Sequence, residues 1–220
     1  MVWLGLLAAG LALTVAGAFS LDQHVRSFVE QNATSDQKEL ASLISRYSEG
    51  HWLLAAGAIG WLFVVLEKNL PKQRRWIVVL VATIISGIIV NVPRSLTGRA
   101  RPNNPVEQGW FGPRHQGQWL IGQSRYNSFP SGHTTTAMGF AVAILLCFRR
   151  NGWLAVAGAL AVGWARIWVS AHHFSDVVVG ILLGGFLGWA AWRWFVNIGW
   201  LGDGPGKDDR MFQPSLTIST

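Results

Sequence analysis

Two histidines and one aspartate carry the most reactive side chains in an otherwise apolar sequence. His133 closes the tetrapeptide Pro130-Ser131-Gly132-His133, and His172 precedes Asp176 by four residues. On a continuous helix this spacing places Asp176 on the same face as His172, where a carboxylate bonded to one ring nitrogen leaves the other nitrogen free to attack. Two histidines at one site can divide the roles of nucleophile and general acid. His172, His133 and Asp176 are therefore candidate catalytic residues.

Three arginines and a predicted helix start add groups that could bind an anion. Arg94 and Arg101 follow the third apolar stretch, and Arg166 lies inside the fifth, where an ionisable residue is a functional candidate. Several guanidinium groups suit a multiply charged oxyanion, because each forms charge-assisted bonds to phosphate. Ser131 and Gly132, ahead of a helix, offer N–H groups to the same anion. These five residues are predicted to bind phosphate.

Other polar residues near these clusters have simpler interpretations. A single His or Arg near a membrane surface is usually a headgroup contact. We interpret four such residues as ordinary loop residues: Arg99, Arg114, His115 and Arg125. His173 competes with His172 as the nucleophile, and composition does not choose between them.

The overall composition indicates a membrane protein. Half of the 220 residues are hydrophobic and only 13% are charged, whereas soluble domains carry about 25% charged residues. The net charge of +7 comes largely from basic residues beside apolar stretches, a pattern typical of membrane topology and lipid headgroups. We therefore expect a membrane bilayer as partner and no nucleic acid.

Six charge-poor stretches are each close to the length that crosses a bilayer. They are residues 2–20, 51–66, 76–93, 134–148, 152–171 and 177–197. Because lipid offers no hydrogen bonds to the backbone, they should be helices. We predict an all-α, polytopic protein with six transmembrane helices, one domain over residues 1–200 and a mobile tail over 201–220. Ala16-Gly17-Ala18 resembles a signal-peptide cleavage site, but the preceding residues lack Lys and Arg, so we expect this stretch to be retained.

Residues 22–50 are polar, yet they carry a helical pattern. Four apolar side chains repeat at helical spacing: Leu40, Leu43, Ile44 and Tyr47. Thr34 and Gln37 have the spacing of a capping box. The pattern predicts an amphipathic helix on the membrane surface between the first two spans.

Alternation of the six spans brings the reactive residues to one membrane face. The third span ends there, the fourth begins there, and the fifth returns there before the sixth. The short, basic loops 67–75 and 149–151 favour the cytoplasmic side. The active-site loop, residues 94–132, is then predicted on the periplasmic face of the inner membrane.

At these residues the sequence resembles the type 2 phosphatidic acid phosphatase family, part of the acid phosphatase and vanadium haloperoxidase superfamily. The first family motif reads Arg94-(six residues)-Arg101-Pro102, with Arg94 in place of the usual lysine. The second is Pro130-Ser131-Gly132-His133. The third reads Ala165-Arg166-(five residues)-His172-(three residues)-Asp176, with Ala165 in place of the usual serine.

The resemblance implies a role for each matched residue. His172 attacks phosphorus to form a phosphohistidine, Asp176 orients it, and His133 protonates the leaving group and then activates water. The spacing to Asp176 selects His172 over His173. The phosphoryl oxygens are held by the remaining matched residues, Arg94, Arg101, Arg166, Ser131 and Gly132. No cofactor and no metal are expected, because the arginines supply the positive charge.

The function that the resemblance implies is hydrolysis of a lipid phosphomonoester or diphosphate. Family substrates include undecaprenyl diphosphate, phosphatidylglycerol phosphate, phosphatidic acid and lipid A 1-phosphate, and we favour undecaprenyl diphosphate or a related bacterial lipid phosphate. One alternative is a lipid phosphotransferase that uses the same histidine. Another is a non-catalytic membrane protein that binds anions or lipids through its arginines.

Overall fold

A computed structural model describes residues 2–105, 107–149 and 152–201 of the chain. This part is mostly helical, which confirms the predicted class. The helices are α1 (Val2–Asn32), α2 (Ser35–Tyr47), α3 (Gly50–Leu66), α4 (Leu70–Ile89), α5 (Asn91–Thr97), α6 (Gly132–Phe148), α7 (Gly152–Trp168) and α8 (Phe174–Asn197). The predicted mobile tail, residues 201–220, lies outside the described residues except for Leu201.

Helix α6 lies at the centre of the helical assembly. It packs against α4, α7 and α8, while α3 packs on α4, α2 on α7 and α1 on α8. Two glycines allow the close approach of α8 to α6: a Cβ at Gly184 would collide with the Thr135 carbonyl, and one at Gly188 would lie 2.6 Å from the Gly139 carbonyl. The active-site ends of α6 and α8 are thereby held together.

The segment between α5 and α6 forms a folded cap rather than a further span. It contains a short antiparallel hairpin of β1 (Arg114–His115) and β2 (Gln118–Trp119) and a 3-10 turn at Ser124–Tyr126. Gly98 ends α5 with a φ of 55°, and a Cβ there would collide with the Gly112 carbonyl. Only glycine meets both conditions, so Gly98 sets the path of the chain into the active-site loop.

The polar segment predicted over residues 22–50 divides between two helices. Neither Gly nor Pro interrupts the chain from Ala18 to Asn32, so α1 continues through its first part. The capping box of Thr34 and Gln37 is confirmed at the start of α2. Helix α2 buries Ala41 and Ser45, and the predicted membrane-surface position of α2 stays a prediction.

Two described helical segments are long and apolar enough to cross a bilayer, Leu70–Thr97 and Phe174–Asn197. The pair Ser35–Tyr47 and Gly50–Leu66, bent by 60°, makes a third if it is counted as one span. Gly132–Phe148 and Gly152–Trp168 are apolar but have only 17 residues each, or about 25 Å of helix. The number of six spans therefore stays a prediction.

Candidate active site

The first turns of α6 and α8 meet at the centre of the candidate site. The Ser131 N–H donates to the Asp176 carbonyl at 3.0 Å, which ties the start of α6 to the start of α8. His133, in the first turn of α6, lies within electrostatic range of His172 and of the three predicted phosphate-binding arginines, Arg94, Arg101 and Arg166. The three motifs that are far apart in the sequence thus converge.

The side chain of His172 is almost completely buried, with 2% of the residue exposed. Its Nδ1 lies 2.7 Å from the Ser128 carbonyl and 3.6 Å from Asp176 Oδ2. Because a carbonyl can only accept, Nδ1 carries the proton and Nε2 holds the free lone pair. That Nε2 is buried and has no hydrogen-bond partner among the described residues. Burial lowers the pKa of His172, against the raising effect of Asp176, and so favours the neutral ring that can attack.

Asp176 is fully buried and holds the groups around His172 in place. Its Oδ2 accepts from Ser128 Oγ at 2.5 Å and from the His173 N–H at 2.8 Å, and its Oδ1 accepts from Arg99 Nη1 at 2.5 Å. The nearest partner of the His172 ring is therefore the Ser128 carbonyl. Asp176 orients that partner through the hydroxyl of the same serine.

His173 has a different environment from His172. Its Nε2 lies 3.2 Å from the Ala100 carbonyl, and its backbone N–H donates to Asp176 at the start of α8. Nε2 of His173 thus faces a carbonyl of the active-site loop, whereas Nε2 of His172 has no partner among the described residues. The choice of His172 over His173 as the nucleophile stays a prediction.

The three arginines that are predicted to bind phosphate have different partners in the structure. Arg94 donates to the Asn127 carbonyl from Nε and Nη2, at 3.3 and 3.2 Å. Arg166 donates from Nη1 to Ser45 Oγ of α2. The Nε atoms of Arg101 and Arg166 are buried and have no partner within the described part of the chain. Buried, unpaired cationic donors of this kind are suited to an incoming oxyanion.

Ser131 and Gly132 occupy the start of α6. The Ser131 hydroxyl lies 2.9 Å from Thr134 Oγ1, and Ser131 is fully buried. A Cβ on Gly132 would come within 2.8 Å of Arg94 Nη1, so the guanidinium lies directly over the backbone of Gly132. This close approach combines an arginine with the positive end of a helix dipole.

A cleft of about 460 Å³ opens beside the candidate catalytic residue His133, between α3, α4 and α6. Arg94, Gly132 and His133 line its polar end, and the apolar side chains Leu54, Ile84 and Ile88 line its wall. Glu49 and His51 add polar groups to the lining. A polar end beside an apolar wall suits an amphiphile with an anionic headgroup.

Sequence reasoning missed part of the polar network. Arg99 was interpreted as an ordinary loop residue, and that interpretation is wrong: its side chain is buried and bonded to both Asp176 and Asp22. Asp22, Glu49 and Ser128 belong to none of the three motifs, so motif spacing does not identify them. The available signal for Asp22 was that it is the first acidic residue after a long uncharged stretch.

No group of three or more His, Cys, Asp or Glu side chains in residues 2–105, 107–149 and 152–201 is arranged to hold a metal ion. The expected independence from metal stays a prediction.

Proteins with related sequences share most of this region. Lipid A 1-phosphatase of Rhizobium etli is 31% identical over 68% of this chain and 67% of its own length. The undecaprenyl-diphosphatase BcrC of Bacillus subtilis is 32% identical over 56% of this chain and 60% of its own length. The chain thus spans about two thirds of the length of these relatives or slightly less.

Two solved structures share the fold. LpxE of Aquifex aeolicus superposes with a TM-score of 0.53 at 17% identity, over 79% of this chain and 95% of that one. The transmembrane PAP2-type phosphatidylglycerolphosphate phosphatase of Bacillus subtilis gives 0.58 at 18% identity, over 89% and 94%. The PAP2 superfamily model matches residues 75–200, which include every predicted site residue. The chain therefore belongs to the PAP2 superfamily and is a phosphate-hydrolysing membrane enzyme.

Proposed function

We propose that this enzyme removes a phosphoryl group from a bacterial lipid phosphate through a phosphohistidine on His172, without a metal ion. The observation that carries the proposal is the state of the His172 ring. Nδ1 is committed to the Ser128 carbonyl at 2.7 Å, and Nε2 is buried and unpartnered within the described residues. A neutral imidazole with one oriented, free nitrogen is the arrangement that nucleophilic catalysis requires.

In the first step Nε2 of His172 forms a bond to phosphorus and the bond from phosphorus to the leaving oxygen breaks. His133 enters this step with both ring nitrogens protonated and donates one proton to that oxygen, so the lipid leaves as a neutral alcohol or as a lower phosphate and His133 becomes neutral. The ring of His172 becomes positively charged, and Asp176 Oδ2, 3.6 Å from Nδ1, stabilises that charge. Arg94, Arg101 and Arg166 neutralise the phosphoryl oxygens as charge develops.

In the second step His133 takes a proton from water, the oxygen of that water attacks phosphorus, and the bond to Nε2 breaks. Inorganic phosphate leaves and His172 returns to its neutral form. The Ser131 hydroxyl and the Gly132 N–H are proposed to hold the phosphoryl oxygens through both steps.

The apolar wall of the cleft supports a substrate whose acyl or prenyl chain stays in the bilayer. The names of the relatives make lipid A 1-phosphate and undecaprenyl diphosphate the first candidates. We propose that the enzyme crosses the inner membrane with six helices and that α2 lies on the membrane surface. The active site is proposed to face the periplasm.

Phosphate release from a panel of lipid phosphates, with and without a chelator, tests the proposal. We expect the wild type to release inorganic phosphate equally in both conditions. His172→Ala should lose activity by at least about 10³-fold. Wild type that is denatured at alkaline pH should retain label from a ³²P-substrate and should lose that label on treatment with acid.

His115→Ala is the matched control, because the His115 ring packs against Phe111 in the active-site loop and His115 is not one of the predicted site residues. A non-catalytic binding protein would release no phosphate. A phosphotransferase would deliver the label to a second lipid instead of to water. Loss of activity on chelation would refute the metal-free mechanism.

A further inference from the structure

Asp22 of α1 lies outside residues 75–200, which match the family, but its carboxylate reaches the active-site end of α8. Oδ1 accepts from the Ser175 N–H at 2.7 Å, and Oδ2 accepts from Ser175 Oγ at 2.7 Å. Oδ2 also accepts from Arg99 Nη2 at 2.6 Å. The Asp22 side chain is only 13% exposed, so this is a specific contact between helices rather than a solvated charge.

Arg99 joins Asp22 to the carboxylate beside the nucleophile. Its Nη2 donates to Asp22, while its Nη1 donates to Asp176 Oδ1 at 2.5 Å and to Ser175 Oγ at 2.7 Å. The guanidinium carbon lies 5.3 Å from the ring centre of Phe19 and 4.6 Å from that of Trp110. The two neighbouring rings and the two carboxylates restrict the orientation of the planar guanidinium, and the ammonium of a lysine could not reproduce this set of contacts.

We propose that Asp22 and Arg99 are positioning residues for the reaction. Asp22 orients the guanidinium of Arg99, and Arg99 in turn orients Oδ1 of Asp176. The other carboxylate oxygen of Asp176, Oδ2, is thereby held beside His172. The proposal rests on the function proposed for His172. It assigns to α1, which lies outside the region matched by the family, a part in arranging the active site.

The predicted effect follows from the geometry of Asp176. Its Oδ2 is 3.6 Å from His172 Nδ1 and also accepts from Ser128 Oγ, and the carbonyl of the same serine accepts the hydrogen bond from His172 Nδ1–H. Without Asp22, Arg99 loses one of its two carboxylate partners and is free to turn. Asp176 then loses its fixed orientation, and the charge that develops on His172 is less well stabilised.

Steady-state kinetics of Asp22→Asn test the proposal. Removal of a residue that orients a catalytic group typically costs about 10- to 100-fold, and we expect that loss in kcat. KM should stay within about twofold, because the Asp22 side chain accepts hydrogen bonds from Arg99 and Ser175 rather than from a predicted phosphate-binding arginine. Glu30→Gln is the matched control, since Glu30 is on the same helix but forms an exposed ion pair with Arg26, and it should retain wild-type kcat.

A double-mutant cycle with Asp176→Asn separates positioning from general stability. If Asp22 acts through Asp176, Asp22→Asn should change kcat by less than about threefold in the Asp176→Asn background. A purely structural role would leave the two losses multiplicative.

If Asp22→Asn does not fold, Arg99→Lys tests the proposal instead. This variant keeps the positive charge but cannot donate to both carboxylates with the geometry of a guanidinium. A folded Arg99→Lys with wild-type kcat would overturn the proposal, as would a folded Asp22→Asn with wild-type kcat. Phosphate release by His172→Ala in the same assay would instead refute the proposed function, so the two failures are distinguishable.

Discussion

His172 differs from an exposed histidine because its two ring nitrogens have opposite environments. Nδ1 faces the Ser128 carbonyl and Nε2 has no partner in the described part of the chain. Burial is the main cause of its lowered pKa, and Asp176 opposes that effect. The neighbours of His172 therefore determine its protonation, and the pH dependence of the reaction should change when one of these neighbours is replaced.

The acid limb of the pH profile of kcat/KM is the corresponding measurement. In the proposed mechanism only neutral His172 can attack. Its pKa lies below the usual value, so activity should persist below about pH 6.5 and fall only when the ring is protonated. Asp176→Asn removes a group that raises the pKa, so the limb should move to lower pH in that variant. If the acid limb falls at the same pH in the wild type and in Asp176→Asn, it would report protonation of the substrate phosphate and not of His172.

Gly132 offers a test of how closely Arg94 must approach the start of α6. In Gly132→Ala the new methyl group would lie 2.8 Å from Arg94 Nη1 and would displace the guanidinium. A misplacement of about 1 Å can cost roughly 100-fold in rate, so we expect kcat/KM to fall by roughly 10- to 100-fold. Gly50→Ala is the control, because Gly50 lines the same cleft and a Cβ there has its nearest neighbour, Thr136 Cγ2, at 3.9 Å. Equal activity of the two variants would contradict this account of Arg94.

Helices α6 and α8 carry the two halves of the site, and their separation depends on small residues. Asp176 and His133 come from different helices whose first turns are joined by the Ser131 N–H and the Asp176 carbonyl. Gly184 and Gly188 allow the backbones of the two helices to approach closely beyond these first turns. Close packing of this kind is a main source of helix association in membranes.

We expect Gly184→Ala to reduce the free energy of unfolding by about 1–3 kcal/mol, the usual cost of overpacking. A methyl group at Gly184 would collide with the Thr135 carbonyl, whereas one at Gly185 meets nothing closer than Met138 Cγ at 3.9 Å. Gly185→Ala should therefore be neutral or slightly stabilising, since alanine is the better helix former. Thermal unfolding of both variants in the same detergent is the measurement. Equal midpoints of thermal unfolding in the two variants would show that the contact between Gly184 and Thr135 does not limit the stability of the protein.

The whole molecule must present its active site to one side of a membrane. The loop at residues 67–69 follows α3, at the opposite end of that helix from Glu49 and Gly50, which line the cleft. The hairpin at residues 114–119 belongs to the active-site loop. If the site is periplasmic, these two loops should be accessible from opposite sides.

Single cysteines introduced into a Cys147→Ser background test this arrangement, since Cys147 is the only cysteine of the chain. Gln118→Cys in the hairpin should react with a membrane-impermeant maleimide in intact spheroplasts. Glu67→Cys should react only after lysis. The reverse pattern would place the active site on the cytoplasmic face and the N-terminus outside.

The sequence alone determined the helical class and the convergence of the three motifs. A charged residue in an apolar stretch is costly, so Arg166 stood out, and the spacing of His172 and Asp176 predicted a shared site before any coordinates. Only the tertiary structure decided the role of Arg99, whose partners Asp176 and Asp22 lie 77 positions away on either side. A local pattern in the chain cannot distinguish an exposed loop arginine from a buried one. That distinction arises only when α1, α8 and the active-site loop pack together and remove Arg99 from water.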